Sequence, residues 1–217
     1  MKVKLIALTK PVAEELKDFS AEELTSYVAR VSNPSNQMST ETAPKLLKYC
    51  IKHNHWSVFE HINMTVEITT SRGIAAQILR HRSFVFQEFS QRYSVVTDFE
   101  TYPARRQDNK NRQNSVDDMD EETKEWFLMA QQLVQADAMA MYEDALRRGI
   151  AKEQSRFLLP LSTQTTLYMT GNLRSWITYI DLRTGSGTQL EHADIAKEIK
   201  RIFTEQFPAI AEAKEWK

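Results

Sequence analysis

Residues 80–94 concentrate the side chains of this sequence that could do chemistry. The stretch opens with Arg-His-Arg, three consecutive residues able to carry positive charge. Glu88, Ser90 and Arg92 follow at a spacing of two, so an extended backbone would place a carboxylate, a hydroxyl and a guanidinium on one face. A strand with a purely structural role does not need such a set of polar side chains. The set suits a ligand that is anionic, flat and rich in hydrogen-bonding groups, such as a nucleotide.

The same charges have a plainer interpretation, because clustered arginines commonly face solvent or pair with carboxylates on a neighbouring helix. On charge alone that interpretation is favoured. The surrounding residues Phe84, Val85, Phe86 and Phe89 nevertheless predict burial. A buried arginine needs a partner for its charge, which favours a bound anion.

The elements on either side must position this stretch. Apolar residues at Ile74, Ala75, Ile78 and Leu79 recur with helical spacing and predict a short helix that ends at the arginine cluster. Before it, residues 62–70 alternate in the manner of a strand.

The rest of the chain shows strands and helices without a regular βαβ alternation. Further strands are predicted at residues 2–8 and 162–170, and helices at about 20–31 (with a Ser20/Glu23 capping box), 42–52, 117–148, from 152, 173–182 and 189–207. Residues 98–114 are interpreted as a polar surface excursion, and the residues after Pro208 as a tail. This order predicts an α+β fold, a single domain over residues 1–217 with a small mixed or antiparallel sheet and several packed helices.

The helix predicted at residues 117–148 is the longest of these elements. Its apolar and aromatic residues recur at helical spacing, among them Trp126, Met129, Leu133 and Met141. We interpret them as packing residues and not as a cofactor site.

Composition limits the classes of function. The 217 residues are 41% hydrophobic and carry 28 basic against 29 acidic side chains, a balance that argues against a general nucleic-acid or membrane-surface binder. Cys50 is the single cysteine, on an apolar helical face, so neither a disulfide framework nor a cysteine-based zinc site is expected. No apolar run reaches membrane-span length, and a cytoplasmic protein is expected. With five glycines there is no G-x-G-x-x-G turn and no P-loop.

The segment from His53 to His61 contains three histidines and Glu60. Such residues can bind a metal, but their spacing fits no standard zinc pattern. The alternative is a loop that donates and accepts hydrogen bonds against a ligand.

Several motifs together resemble those of the flavin-dependent thymidylate synthases, the thymidylate synthase complementing protein family. The first is Arg80-His81-Arg82 followed after seven residues by Ser90, with Gln77 before it and Arg92-Tyr93-Ser94 after it. The segment from His55 to His61 is similar to the family's His-x-x-x-x-Phe-Glu-His. The other matching segments are Arg156-x-x-Leu-Pro160, Asn172-Leu-Arg174-Ser175-Trp176 and Leu182-Arg183. With Ala29-Arg30-Val31-Ser32 before them and Gln189 after them, the resemblance extends over most of residues 29–189.

The resemblance implies an enzyme that converts dUMP to dTMP. Methylenetetrahydrofolate would supply the one-carbon unit, and FAD reduced by NADPH would supply the hydride. The family is homotetrameric with active sites shared between subunits. No nucleic-acid, membrane or metal partner is implied, and the metal interpretation of the histidine segment is set aside for flavin contacts.

The resemblance also assigns roles residue by residue, with Arg183 as the catalytic residue. The residues implied to bind dUMP are Gln77, Arg80, Glu88, Ser90, Gln91, Arg92, Arg156 and Arg183. The residues implied to bind FAD are Ser32, His55, Ser57, Glu60, Arg80, His81, Arg82, Glu88, Asn172, Arg174, Thr178 and Leu182. The sequence departs from the family at Thr178, where many members carry Asn, and at Gly187, where many carry His.

Two other functions remain as alternatives. One is a flavoprotein reductase acting on another substrate, which would not bind dUMP. The other is an RNA-binding module using arginines such as Arg80, Arg82, Arg92, Arg105 and Arg106, which would be colourless and would shift labelled RNA. Balanced charge and the lack of helix-turn-helix or RNP signatures count against the RNA-binding module.

Overall fold

The described part of the chain contains a four-stranded sheet in the order β1, β2, β6, β3. Its strands are β1 (Lys2–Leu8), β2 (Asn63–Ser71), β3 (Val85–Glu88) and β6 (Gln164–Asn172), and each neighbouring pair is antiparallel. Strands β4 (Arg106–Gln107) and β5 (Ser115–Val116) form a separate small hairpin. This computed structural model describes residues 1–96 and 98–216. Thr97 lies outside it, and so does Lys217, which is the last residue of both the predicted domain and the predicted tail.

Helices cover the sheet and extend beyond it. They are α1 (Ala21–Ala29), α2 (Ala43–Lys52), α3 (Arg72–Ile78), α4 (Glu121–Arg147), α5 (Lys152–Ser155), α6 (Leu173–Arg183), α7 (Leu190–Gln206) and α8 (Pro208–Ala213). Short 3₁₀ turns occur as well, including Trp56–Glu60 and Arg156–Leu158. The α+β fold with a small antiparallel sheet and one long helix is confirmed.

Local capping signals explain where several helices begin. The Ser20 side chain accepts a hydrogen bond from the Glu23 backbone N–H and Glu23 reciprocates, which is the predicted capping box at the start of α1. The side chain of Asn172 accepts from the Ser175 N–H at 2.9 Å and starts α6 directly at the end of β6.

The core lies between the sheet and helices α3, α6 and α7. The inward face of β2 carries Met64, Val66 and Ile68, all fully buried, as its alternation predicts. Trp176 on α6 is buried against this layer, and its indole N–H donates to the Met64 carbonyl at 3.0 Å. Cys50 is a buried free thiol on α2, as expected. Helix α6 is therefore held firmly by its apolar face.

Burial around the arginine cluster was predicted only in part. Phe84 is buried, and Gly171 on β6 is required there, because a Cβ at that position would lie 2.4 Å from the Phe84 ring. Val85, in contrast, is 69% exposed. The prediction of its burial is wrong because β3 is an edge strand whose side chains alternate between the core and solvent.

One further expectation is corrected. The residues after Pro208 form helix α8 and not a tail, since a proline in the first turn is compatible with helix initiation. The polar excursion at residues 98–114 contains strand β4 and leads directly into β5, and this hairpin is closed by a bidentate ion pair between Arg106 and Asp118.

The long helix α4 buries Tyr142 and Ala145 but leaves many of its other apolar residues exposed within this chain. Exposed fractions are 62% for Trp126, 60% for Met129, 65% for Leu133 and 57% for Met141. Their interpretation as packing residues is therefore wrong for the isolated chain. Large exposed apolar residues on one helix are typical of a binding or subunit interface.

Among the described residues no helix has the length and apolar character required to span a membrane.

Candidate functional site

The end of helix α3 brings the Arg-His-Arg motif against helix α6. Arg183, in the last turn of α6, donates a hydrogen bond from Nε to Nε2 of His81 at 2.8 Å. Because Nε2 accepts this bond, a neutral His81 ring carries its proton on Nδ1 and offers that N–H as a donor. The bond leaves both terminal nitrogens of Arg183 for other partners and orients its planar fork.

A buried pair lies behind these two side chains. His192 on α7 is fully buried, and its Nε2 lies 3.0 Å from the hydroxyl of Tyr179 on α6. The rings of His81 and Tyr179 meet edge to face with centroids 4.8 Å apart, so the buried pair supports the motif from the core side.

The two histidines are held neutral. Burial, and then the charge of Arg183, lowers the pKa of His81 to about 4. Burial, followed by the charges of Arg183 and His81, lowers the pKa of His192 to about 4 as well. Burial also raises the pKa of the Tyr179 phenol, so that it remains protonated. The arrangement can therefore supply neutral donors and acceptors beside one cationic guanidinium over the working pH range.

These shifts predict how stability depends on pH. Between the ordinary pKa of 6.5 and the folded pKa of about 4, the unfolded chain protonates His192 and the folded chain does not. The free energy of unfolding should therefore fall as pH drops through this window, by roughly 2–3 kcal/mol for the fully buried His192. Denaturant unfolding of wild type and His192→Gln at pH 7 and pH 4.5 measures it. His192→Gln should lose the part of this pH dependence that His192 contributes and keep the part that His81 contributes, whereas the exposed-site control His61→Gln should keep both; equal pH dependence in all three proteins would contradict the prediction.

A second group of predicted site residues lies at the end of strand β3. The backbone there does not have the extended geometry that was predicted. The strand stops at Glu88, and the next residues form a turn in which the Ser90 carbonyl accepts from the backbone N–H of Ser94 at 3.0 Å. The expected alternation of Glu88, Ser90 and Arg92 on one extended face is therefore wrong. The cause is that the backbone folds back on itself at Ser90 instead of continuing along β6.

Different partners follow from this turn. Glu88 accepts from Arg72 and from the Thr165 hydroxyl, both at 3.0 Å, while a second nitrogen of Arg72 donates to the Phe89 carbonyl at 2.8 Å. Arg92 instead pairs with Glu153 at 3.0 Å on the surface. Arg72 is thus the residue that holds the start of the turn.

A surface pocket of about 240 Å³ adjoins the turn. Its lining includes Arg72, the buried Gln91 and Arg156, whose guanidinium carbon lies 5.4 Å from the centroid of the Phe157 ring. Two cations and an amide around one depression can hold an anionic group such as a phosphate. The sequence interpretation included Gln91 and Arg156 but missed Arg72, whose position at the start of α3 gave no motif signal.

The predicted FAD residues of the His55 segment meet the start of α6. Glu60, at the end of the 3₁₀ turn, forms an ion pair with Arg174. The Thr178 hydroxyl is turned back onto the Arg174 carbonyl at 3.0 Å. His55 is exposed and its ring stands edge to face against Tyr49, with centroids 5.7 Å apart.

Other members of that predicted set lie apart from this contact. Asn172 uses its side-chain oxygen as the helix cap, Leu182 is 56% exposed beside Arg183, and Ser57 is exposed in the 3₁₀ turn. Ser32 lines a separate surface pocket next to Arg30. Within one chain, the predicted flavin residues are thus spread along helix α6 and beyond it.

Ion pairing divides the predicted site arginines into two sets, because Arg92 and Arg174 have a carboxylate partner and the other four have none. Most arginines in the described residues have a carboxylate partner. Those without one are Arg30, Arg80, Arg82, Arg112, Arg156 and Arg183. Four of these six are predicted site residues. Arg80 and Arg82 are exposed, so the expectation that they are buried is wrong; of the two plainer interpretations, the ion-pair one fails and the solvent-facing one holds for the single chain. Exposed, unpaired guanidinium groups beside the Nδ1–H of His81 fit the phosphates and ring acceptors of a dinucleotide such as FAD.

The predicted dUMP residues form two groups in a single chain. Gln77, Arg80 and Arg183 lie at the end of α3, whereas Glu88, Ser90 and Gln91 lie near its start, where Arg72 contacts Glu88 and Phe89. Helix α3 has 7 residues, so its ends are about 10 Å apart. No group of three potential metal ligands is positioned to hold a metal ion within residues 1–96 and 98–216.

Comparisons with known proteins identify the family of this chain. A family model described as thymidylate synthase complementing protein matches residues 15–209. The chain is 57% identical over 219 residues to a "Probable flavin-dependent thymidylate synthase" of Paramecium bursaria Chlorella virus 1, covering 100% of both chains. It is 54% identical over 217 residues to a "Flavin-dependent thymidylate synthase" of Synechocystis sp., again covering 100% of both.

Among solved structures, a UMP/dUMP methylase PolB from Streptomyces cacaoi bound with 5-Br dUMP superposes with a TM-score of 0.83. Its sequence identity is 24%, and the match covers 98% of this chain and 93% of that one, so it shows the fold. The family model and the two full-length relatives establish that this chain belongs to the thymidylate synthase complementing protein family.

Proposed function

We propose that this protein is a flavin-dependent thymidylate synthase that converts dUMP to dTMP, with methylenetetrahydrofolate as the carbon donor and NADPH as the reductant. The observation that carries the proposal is the set of unpaired arginines, Arg80, Arg82, Arg156 and Arg183, on a chain of this family. Cations left without carboxylates suit one dianionic nucleotide and one dinucleotide. The relatives' names support the flavin and the product. In this proposal residues 1–217 form one domain, which is supported by the core cluster that the described residues share across the sheet and the helices.

The chain's own residues would divide the work between the two ends of α3. Arg72, Gln91 and Arg156 bind the phosphate of dUMP in the pocket beside β3. Arg183 places its free terminal nitrogens against the pyrimidine, where they stabilise negative charge as C5 becomes nucleophilic. His81 orients Arg183 and directs its Nδ1–H toward the cofactor. A bound FAD, reduced by NADPH, supplies the hydride.

In this proposal Ser90 binds the substrate and does not attack it. A serine nucleophile needs an adjacent base. The nearby Glu88 already accepts from Arg72 and Thr165, and within the described residues no histidine or carboxylate bonds to the Ser90 hydroxyl. The single thiol, Cys50, is buried on α2 and cannot take that role.

This role predicts the behaviour of Ser90→Ala. Loss of one hydrogen bond to a charged phosphate should raise the KM for dUMP by about tenfold or more while dTMP formation stays measurable. Steady-state kinetics against dUMP tests it, with Thr184→Ala as a control, since that hydroxyl is occupied by the Ile180 carbonyl. Trapping a covalent adduct between Ser90 and the nucleotide by mass spectrometry would overturn the assignment.

A homotetramer with shared sites is part of the proposal. Two observations support it. The apolar face of α4, with Trp126, Leu133 and Met141, is exposed in the single chain. The dUMP residues are also split between the two ends of α3, so a second chain can complete each half.

Mixing experiments test the sharing of sites. Variants His55→Ala and Arg92→Ala should each be nearly inactive alone. After mixing under conditions that allow subunit exchange, part of the activity should return, because one class of site then contains neither substitution. Sedimentation of a fully active monomer would contradict the shared site.

The overall function is tested with purified protein. We expect flavin absorbance, binding of dUMP to the oxidised protein, and dTMP formation when methylenetetrahydrofolate and NADPH are added. Flavin without dUMP binding would favour the alternative reductase. A colourless protein that shifts labelled RNA would favour the RNA-binding module, which the family match already opposes.

A further inference from the structure

A chain of side-chain hydrogen bonds connects Arg105, just before strand β4, with Gln77 on helix α3. Arg105 donates from Nη2 to Oε1 of Glu191 at 2.6 Å. Gln189 donates from Nε2 to the other oxygen of Glu191 at 2.8 Å. Gln77, near the end of α3, donates from Nε2 to Oε1 of Gln189 at 2.6 Å.

The buried end of this chain sets its direction. The side chains of Arg105 and Glu191 are only 10% and 4% exposed, so their ion pair is shielded from water. A carboxylate can only accept hydrogen bonds, and therefore Gln189 must turn its NH₂ group toward Glu191. Its carbonyl then faces Gln77.

The orientation of the Gln189 amide sets that of the Gln77 amide. With a carbonyl opposite it, Gln77 must present its NH₂ group to Gln189. Rotating either amide by half a turn would bring two acceptors or two donors together and leave polar groups unpaired. The carbonyl oxygen of Gln77 is thereby the group left over, and within the described residues it has no hydrogen-bond partner.

A fixed carbonyl acceptor distinguishes pyrimidine bases. Uracil carries an N–H donor at N3, between two carbonyls, whereas N3 of cytosine is an acceptor. A carbonyl oxygen at Gln77 can accept from the uracil N3–H but meets a lone pair in cytosine. Arg183, at the same end of α3, has donors for a flanking ring carbonyl. A site built to hydrogen-bond one group of its substrate disfavours an analogue that lacks this group.

We propose that Arg105, Glu191 and Gln189 are positioning residues that hold the Gln77 amide in the orientation that accepts uracil and rejects cytosine. This specificity relay, Arg105–Glu191–Gln189–Gln77, rests on the dUMP function proposed above. It acts on base choice and makes no contact with the phosphate end of the site.

The test uses Gln189→Met in the flavin-loaded protein. Gln189 is exposed, so its replacement by a side chain of similar size should leave folding intact. Without its partner the Gln77 amide can rotate and offer either a donor or an acceptor. Equilibrium binding of dUMP and dCMP should show the ratio of their dissociation constants narrowing by about tenfold, chiefly through weaker dUMP and tighter dCMP binding. Gln206→Met, at the opposite end of α7, is the matched control and should keep the wild-type ratio.

A second variant removes the anchor. Arg105→Met combined with Glu191→Gln deletes both charges, so no buried charge is left unpaired. This double variant should also reduce the difference between the dissociation constants of dUMP and dCMP, while flavin content is retained. Equal weakening of both nucleotides in Gln189→Met, or an unchanged ratio in a protein that binds dUMP, overturns the relay alone. Failure of wild-type holoprotein to bind dUMP overturns the proposed function and the relay with it.

Discussion

Replacing Arg183 with lysine should lower kcat by about 10²- to 10³-fold while bound flavin stays close to the wild-type amount. The structure explains why keeping the positive charge at this position does not preserve turnover. Arg183 uses Nε to hold His81 and keeps two terminal nitrogens in one plane for the substrate. A lysine ammonium can make one of these contacts at a time and lacks the planar fork.

Kinetics and flavin content measured on the same preparation separate the two effects. Arg201→Lys is the matched control, since that arginine pairs with Glu198 and Glu205 on the exposed face of α7 and should retain wild-type turnover. Near-normal kcat in Arg183→Lys would reject the catalytic role and leave Arg183 as a helix-terminal cation that interacts with the helix dipole.

His81→Ala should weaken FAD binding by about tenfold or more, equivalent to at least about 1.4 kcal/mol. The substitution removes the acceptor that orients Arg183 and the Nδ1–H proposed to face the cofactor. It also removes the ring that packs edge to face on Tyr179. Arg80 and Arg82 would keep their charge but would lose the packed histidine between them.

Flavin absorbance per mole of protein, before and after dialysis against excess FAD, measures this loss. His61→Ala is a control of the same residue type, because His61 is exposed beyond the 3₁₀ turn and is not among the predicted flavin contacts. Full FAD occupancy together with full activity in His81→Ala would remove His81 from the cofactor site.

Both predictions concern groups that only the tertiary structure brings together. Arg183 and His81 are far apart in sequence and were predicted to bind different ligands, and their mutual hydrogen bond was not foreseen. The buried Tyr179–His192 pair that supports them was missed as well, because a histidine on an apolar helical face carries no distinctive sequence signal.

The sequence alone determined the features that depend on near neighbours. The capping box of Ser20 and Glu23 and the alternation of β2 are set by residues a few positions apart, and the structure confirms them. The Arg-His-Arg motif and its partner segments also identified the family correctly, since they are defined by residue type and spacing.

The tertiary structure decided which distant side chains meet and which faces remain open. Glu88 is held by Arg72 and not by Arg92, because the chain turns at Ser90 and strand β3 ends there. Helix α4 has the periodicity of a packed helix, yet its apolar face stays exposed in this chain. Periodicity fixes the direction in which a side chain points along its own helix, but the partner that covers it comes from elsewhere in the fold or from another subunit.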